Sequence, residues 1–280
     1  MRQFPALRRP LWESFVQPRL AWKPYAFSSA RTLYGATLSG TTLDAIQRHI
    51  YYFGTWEPQV EIVIRQNLKP GDTFIDIGAN IGYFSMLAAN LVGSAGRVVS
   101  FEASTPILQM LKENVDRNGM SDIIRIVHVA VADKETTLTL HAGPEDHEGM
   151  ASLVRPSGRG TEQVRAAPLG SLLTSEEISG ARLIKIDVEG AEGLVLEGME
   201  PILPRLYGAD MLIEIDPALN SSQAILERLT HHGWRGYHIH YTDVMEGYFH
   251  PPAKVELVPL TSAPSKVMNV LFRRGAEPPA

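Results

Sequence analysis

GDTFIDIGANIGYFS, residues 71–85, is the stretch that decides the fold. Thr73 to Ile77 is a short apolar, β-branched run that reads as a buried strand. It carries Asp76 near its end and passes through Gly78 and Gly82 into a helix expected over Gly82 to Leu91. A strand, loop and helix joined this way aim backbone N–H groups from the helix N-terminus, and the glycines let a ligand approach the chain closely. Dinucleotide-binding enzymes place G-x-G-x-x-G here to hold a pyrophosphate. The loop instead reads D-x-G-x-x-x-G, with Asn80 between the glycines and no arginine or lysine at hand for phosphate. A nicotinamide-dependent oxidoreductase is therefore the weaker reading.

Downstream, the pattern alternates: strand Arg97 to Phe101, helix Pro106 to Asn118, strand Ile123 to Val129. It resumes with strand Arg182 to Val188, a helix from about Ala191 to Gly198, strand Met211 to Asp216, helix Ser221 to His232, and strands near Gly236 to Tyr241 and Val267 to Phe272. Short β-branched runs separated by helical runs imply an α/β fold, Rossmann-like, with a mostly parallel sheet covered on both faces. Between Thr136 and Ala166 the chain turns polar, with GPEDHEGM and RPSGRG. This segment reads as an insertion of loops or an edge hairpin at the rim of the site, and as a lid. The expected organisation is an N-terminal arm and helix over 1–55, the helix spanning Thr42 to Phe53. A main domain follows over 56–274 with the insertion at about 136–166, and then a disordered tail over 275–280.

Composition narrows the chemistry. The 280 residues are 44% hydrophobic and carry a net charge of -5, which gives no sign of a chain that tracks nucleic acid. The absence of cysteine excludes disulfides, thiolate nucleophiles and cysteine-ligated zinc, and fits a reducing compartment. No stretch is apolar for long enough to span a bilayer, and the start lacks a secretory apolar core, so a cytoplasmic protein is expected. The first 35 residues set Arg2, Arg8, Arg9, Arg19, Lys23 and Arg31 against Glu13, interleaved with Phe4, Trp12, Phe15, Trp22 and Tyr25. Two readings stand: an arm that meets a membrane surface or partner, or an aromatic-anchored extension lying over the core.

Carboxylates at successive strand ends point to a ligand other than a dinucleotide. S-adenosylmethionine (SAM) has a zwitterionic amino-acid end, a positive sulfonium and two vicinal ribose hydroxyls. Asp76 at the first strand end can serve the methionyl ammonium, directly or through water. Glu102 at the second strand end can accept both hydroxyls. The interval of 26 positions from Asp76 to Glu102 is what one helix and one strand consume. Taken singly, the competing readings are a loop cap for Asp76 and a solvated strand-end charge for Glu102; the pair in this order favours the ligand.

With these residues in place, the chain resembles the FkbM-type SAM-dependent methyltransferases. The resemblance rests on GDTFIDIGANIGYFS, then FEASTPILQMLKENVDRNG, VHVAVAD and LIKIDVEGAEGLVLEGM, in order from about Trp56 to Asp216. It implies a class I methyltransferase fold, with a seven-stranded sheet whose last strand is antiparallel. The implied reaction is methyl transfer, usually to a hydroxyl oxygen of a sugar or natural product. One departure is EASTP, where the family more often has proline directly after the glutamate; this alters the turn more than the ribose contact. The resemblance also draws in Glu57 of TWEP, as a residue closing over the methionyl end of SAM or as a first-turn helix carboxylate. Ala130, after the third strand, is where this fold usually touches adenine.

IKIDVEGAE, residues 184–192, is where the chemistry is expected. Strand alternation puts Lys185 and Asp187 on one face and delivers Asp187 and Glu189 to the crevice. Methyl transfer needs acceptor oxygen, methyl and sulfur in line, and an alcohol acceptor must also lose a proton. Asp187, Glu189 or Lys185 can handle that proton, or Asp187, Glu189 and Glu214 can gather a Mg²⁺ that lowers the acceptor's pKa. For Lys185 an internal ion pair competes equally, and for Glu192 helix capping is the better reading. His238 and His240 share a strand face, and His231 and His232 precede it. Spacing fixes no third zinc ligand, but His240 is a candidate general base. Phe84, Leu87, Leu108 and Leu111 fall on helical spacing and read as core. The leading reading is an O-methyltransferase acting on a small metabolite, natural product or glycan; a non-catalytic SAM-binding adaptor of the same fold is the alternative from another class. The sequence leaves the acceptor and the oligomeric state open, a homo-oligomer included.

Overall fold

The computed structural model describes residues 8–16, 24–144, 146–154, 156, 160–219, 221–240 and 244–274. The expected tail over 275–280 and the arm residues Arg2, Phe4, Arg19, Trp22 and Lys23 lie outside the described residues. At the centre is β3 (Thr73–Ile77), all five of whose residues are buried. Such a strand needs apolar side chains on both faces, which explains its continuous rather than alternating hydrophobicity. It is flanked in parallel by β4 (Arg97–Glu102) and β9 (Ala181–Ile186). Beyond them lie β5 (Ile124–His128) on one side and β10 (Asp210–Ile215) on the other. The far side continues with β13 (Met268–Arg274), antiparallel to β10, and then β11 (Trp234–His240).

The sheet has eight strands where seven were expected, because β12 (Glu256–Pro259) adds an antiparallel edge beyond β11. ELVP is four residues ending in proline, too short to show a period and tolerable only at an edge. The other seven run in the class I methyltransferase order, with the final strand reversed as expected.

Apolar layers cover both faces. Phe74, Leu183, Leu212 and Leu271 pack towards α2 (Pro58–Asn67), α3 (Tyr83–Val92) and α4 (Thr105–Arg117). Ile75, Ile77, Ile184, Ile186 and Ile213 pack towards α5 (Glu192–Met199) and α6 (Ser222–His231), through Val195, Leu196, Ile225 and Leu229. α3, α4, α5 and α6 lie within one or two residues of their expected spans, whereas α2 is a helix for which the sequence reading gave no span. The chain leaves β3 for β4 on one side and later returns to β9 on the other, so a crevice opens at the C-terminal strand ends between them.

The polar insertion forms a separate three-stranded sheet. β7 (Thr136–His141) and β8 (Thr161–Ala167) pair antiparallel, and the two-residue β6 (Ala130–Val131) joins β8 in parallel. The expected hairpin is present, but it is tied to the end of β5 rather than added to the main sheet's edge. Ahead of the main sheet, β1 (Ala26–Arg31) and β2 (Thr37–Thr41) form a hairpin that the sequence reading did not anticipate.

α1 (Ala45–Phe53) starts three residues later than expected because Asp44 caps it. Its Oδ1 accepts from Gln47 N at 2.9 Å, while its Oδ2 accepts from Glu148 N in the insertion at 3.0 Å. Ala45 N donates to Asp146 O at 2.8 Å, a second tie between helix and insertion. From the arm, Trp12 is buried against Phe53, with ring centroids 4.9 Å apart, and joins a cluster with Tyr248 and Phe249 of α7 (Val244–Phe249). That part of the arm is anchored over the core by its aromatic ring. Among the described residues no helix is long and apolar enough to cross a membrane.

Candidate active site

The crevice at the strand ends is a cleft of about 1100 Å³, counted to its open mouth. Its floor begins at Gly78. A Cβ there would stand 1.8 Å from the carbonyl oxygen of Asp187, and φ is +82°, so both space and backbone demand glycine. Gly78 N and Ala79 N donate to Phe101 O, and Asp187 N donates to Ile77 O, so three adjacent strand ends are sewn into one surface.

Glu102, at the tip of β4, is 8% exposed and lines one end of the cleft. Its Oε2 accepts from Asn80 N and its Oε1 from Ser104 N, each at 2.9 Å. Asn80 reaches this geometry with φ of +52°, a conformation asparagine tolerates better than most residues. Burial pushes the Glu102 carboxyl up to about 7, against the pull of these N–H donors. A buried, pre-oriented carboxyl fits a pair of ribose hydroxyls, whose donation would replace the lost solvation. Ala130 lies close by in the same wall.

At the other end stand Lys185, Asp187, Glu189, Glu57 and Glu214, all lining the cleft. Lys185 Nζ donates to Asp187 Oδ2 at 2.7 Å and sits 5.1 Å from the centre of the Phe84 ring. Burial alone would lower the Lys185 pKa, but Asp187, Asp76 and Glu57 together hold it above its ordinary value. Glu57 is pushed up to about 7, first by burial and then by Asp187. It sits at the N-terminus of α2 with φ of +42°, and its Oε1 accepts from Asn269 Nδ2 at 3.2 Å. Glu214 is pushed up to about 10, first by Asp187, then by burial and by Glu57 and Glu189. Asp187, Glu189 and Glu214 each offer an oxygen within 4.8 Å of the others. This end can hold a positive centre next to a base.

Three sequence candidates do not line the cleft. Asp76 is 1% exposed, beneath the floor. Its Oδ2 accepts from Ser85 Oγ at 2.5 Å, and Ser85 in turn accepts from Ser100 Oγ at 2.8 Å. Its Oδ1 is buried without a hydrogen-bond partner among the described residues. Strand alternation is the reason: Asp76 points with Phe74 into the helix-covered face, beside Lys185 on β9. Gly82 caps α3, where a Cβ would meet Leu111 Cδ1 at 2.5 Å, so its glycine serves helix packing. His240 is exposed on β11, paired with Glu256 of β12 and 5.6 Å from the His238 ring, two strands beyond β10. The sheet does not bring it to the cleft.

Glu192 follows its capping reading, accepting from Val188 N and Gly190 N at 3.1 Å each. Sequence reasoning missed Trp56, His147, Gly149 and Leu153 as cleft residues, and Asn269 as the partner of Glu57. TWEP had flagged the first by proximity to Glu57, whereas Asn269 is 212 residues away with nothing local to mark it.

Residues 76–235 match the family described as Methyltransferase FkbM domain. The chain is 30% identical over 189 residues to the 31-O-demethyl-FK506 methyltransferase FkbM of Streptomyces tacrolimicus, covering 57% of this chain and 72% of that protein. It is 28% identical over 129 residues to the protein-L-isoaspartate O-methyltransferase of Aeropyrum pernix, covering 46% of this chain and 48% of that one. It is also 34% identical over 91 residues to the AMB antimetabolite synthetase AmbE of Pseudomonas aeruginosa, covering 32% of this chain and 4% of that protein. The chain thus spans less than half the length of the last two.

Proposed function

The chain belongs to the FkbM methyltransferase family, and from that premise we propose that it moves a methyl group from SAM to a hydroxyl oxygen of a small metabolite, natural product or sugar. The observation that carries this reading is one cleft with two unlike ends: a buried carboxyl held by two N–H groups at Glu102, and a lysine among carboxylates at Lys185. Glu102, Asn80, Gly78 and Ala130 hold the adenosine portion, and Glu57 faces the methionyl end. Asp76 acts from beneath, by fixing the charge of Lys185, rather than as a contact.

SAM supplies an electrophilic methyl carbon: the new O–C bond forms as the C–S⁺ bond breaks, and the electron pair stays on sulfur. Asp187, or Glu57 in its unprotonated form, takes the hydroxyl proton. Lys185 holds Asp187 in place and compensates its charge. Isothermal titration with SAM and S-adenosylhomocysteine tests the reading. Micromolar binding that Glu102→Ala weakens supports it, and no binding at high micromolar ligand defeats it.

A second reading of the same end has its own observation. Asp187, Glu189 and Glu214 converge closely enough to take a Mg²⁺. Lys185 already supplies a positive charge to Asp187, and for that reason the metal-free route is preferred.

A further inference from the structure

A second cavity adjoins the cleft and shares Trp56 and Glu57 with its lining. It encloses about 490 Å³ to its mouth and is completed by Gln59, Val60, Ile239, Tyr248 and Asn269. Its position follows from the topology. Ile239 is near the C-terminal end of β11 and Asn269 at the N-terminal end of the antiparallel β13, so the cavity lies at the carboxyl edge of the sheet. That is the edge along which α/β folds bind ligands, displaced from the Glu102 end towards the reversed strand.

Its lining has a definite chemistry. Trp56 and Tyr248 offer rings, and Val60 and Ile239 offer apolar surface. Against these stand two side-chain amides. Gln59 is 5% exposed, reaches the cavity and makes no side-chain hydrogen bond among the described residues. Its amide is therefore open to the cavity, with donors and acceptor available to a water or ligand group. Asn269 uses its Nδ2 on Glu57 and lies opposite Glu214 in the β10–β13 pairing, so it connects this cavity to the carboxylate end of the cleft. Glu57 is the only charged residue of the lining among those described, and no cation faces the cavity to receive an acid.

We propose that this cavity is the acceptor subsite, and that it takes a neutral hydroxylated ring with one apolar face on Trp56 and Tyr248 and its hydroxyls on Gln59 and Asn269. The inference rests on the methyltransferase reading and adds the location and chemical class of the acceptor. An amide both donates and accepts, which suits a hydroxyl, whereas a carboxylate would enter beside Glu57 with no countercharge.

Protein-observed NMR on tryptophan-¹⁵N-labelled full chain, with the Trp56 indole assigned through Trp56→Phe, tests this directly. The probes are cyclohexane-1,2-diol, myo-inositol and methyl β-glucopyranoside, with cyclohexanecarboxylate as the acidic counterpart, each with and without S-adenosylhomocysteine. The neutral rings are expected to shift Trp56 while the buried Trp234 indole stays in place, and cyclohexanecarboxylate is expected to leave both unmoved. Gln59→Leu should weaken that response about fivefold or more, while S-adenosylhomocysteine affinity and melting temperature stay near those of the parent. Trp56 unmoved by every neutral ring, or moved equally by the acid, overturns the subsite even when S-adenosylhomocysteine binds. Failure of S-adenosylhomocysteine to bind strikes the methyltransferase reading instead, and the two results are read from separate titrations.

Discussion

Lys185 Nζ and Asp187 Oδ2 lie 2.7 Å apart, one side chain buried to 3% exposure and the other a quarter exposed to the cleft. The ion pair straddles the point where β9 ends, so the lysine belongs to the core and the aspartate to the site. Asp187→Ala is expected to abolish methylation while S-adenosylhomocysteine affinity changes by less than about tenfold, roughly 1.4 kcal/mol. Activity assays beside calorimetric titration measure both, and full activity in the variant would remove Asp187 from the chemistry.

Lys185→Met should behave differently, because it leaves Asp76, Asp187 and Glu57 facing one another without a cation. Breaking a buried charge pair from one side costs about 3–5 kcal/mol. Denaturant unfolding is expected to show a loss of that order, against a much smaller one for the partly exposed Asp187→Ala.

Glu102 offers both oxygens from a fixed cradle. Glu102→Ala is expected to weaken S-adenosylhomocysteine binding on the order of 100-fold, about 2.7 kcal/mol. Glu102→Gln should not restore it, since one half of the amide would set N–H against the N–H of Asn80 or Ser104. Unchanged affinity in both variants would remove Glu102 from the binding site.

The raised Glu102 carboxyl also sets a pH dependence. Its folded value of about 7 exceeds the ordinary 4.5, so between those limits the folded chain holds the proton more tightly than the unfolded one. Its contribution to stability is therefore full below pH 4.5 and is lost as pH rises through about 7. Thermal melts from pH 5 to pH 8 should fall more steeply in the parent than in Glu102→Gln. S-adenosylhomocysteine affinity should run the other way, rising as the carboxylate forms. Parallel melting curves in the two proteins would contradict this account.

Gly78 and Gly71 separate crowding from backbone strain. Both have positive φ, but a Cβ at Gly71 meets nothing within 4 Å, while at Gly78 it meets the Asp187 carbonyl at 1.8 Å. Gly71→Ala is expected to cost about 1–2 kcal/mol from conformation alone. Gly78→Ala should cost clearly more and impair S-adenosylhomocysteine binding as the β9 end is pushed away. Equal unfolding free energies for the two variants would show that the close approach is relieved without consequence.

Methylation is expected to survive EDTA, given that Lys185 already neutralises Asp187. Loss of activity on chelation, with recovery on adding Mg²⁺ and not in Asp187→Asn, would transfer the role to a metal held by Asp187, Glu189 and Glu214.

Much of this architecture was legible because its cause is local. The buried β3 needs an unbroken apolar run, and the turn after it needs glycine at 78, so TFIDIG announces strand and crevice together. That Glu102 and Asp187 line the cleft was legible for the same reason, since strand ends deliver their residues to the crevice, and Glu189 follows in the turn after β9. Asp76 was misplaced because β3 carries helices on both faces, so alternation near its tip decides between floor and core, and the serines that hold Asp76 come from α3 and β4. His240 was misjudged because period alone gives a strand face but not the strand's place in the sheet. The β1–β2 hairpin and β12 are short and weakly patterned, and depend on neighbours far along the chain for their pairing or packing. Asn269 becomes relevant only once β13 has inserted antiparallel beside β10.

Asp44 serves two masters, and this couples traffic at the mouth to the integrity of a helix. One oxygen finishes α1 and the other fastens the backbone of Glu148 beside the cleft residues His147 and Gly149. A molecule that enters by prising this corner open pulls on the same carboxyl that stops α1 from fraying. Opening that corner therefore loosens the first turn of α1, and a tightly wound α1 keeps the corner shut.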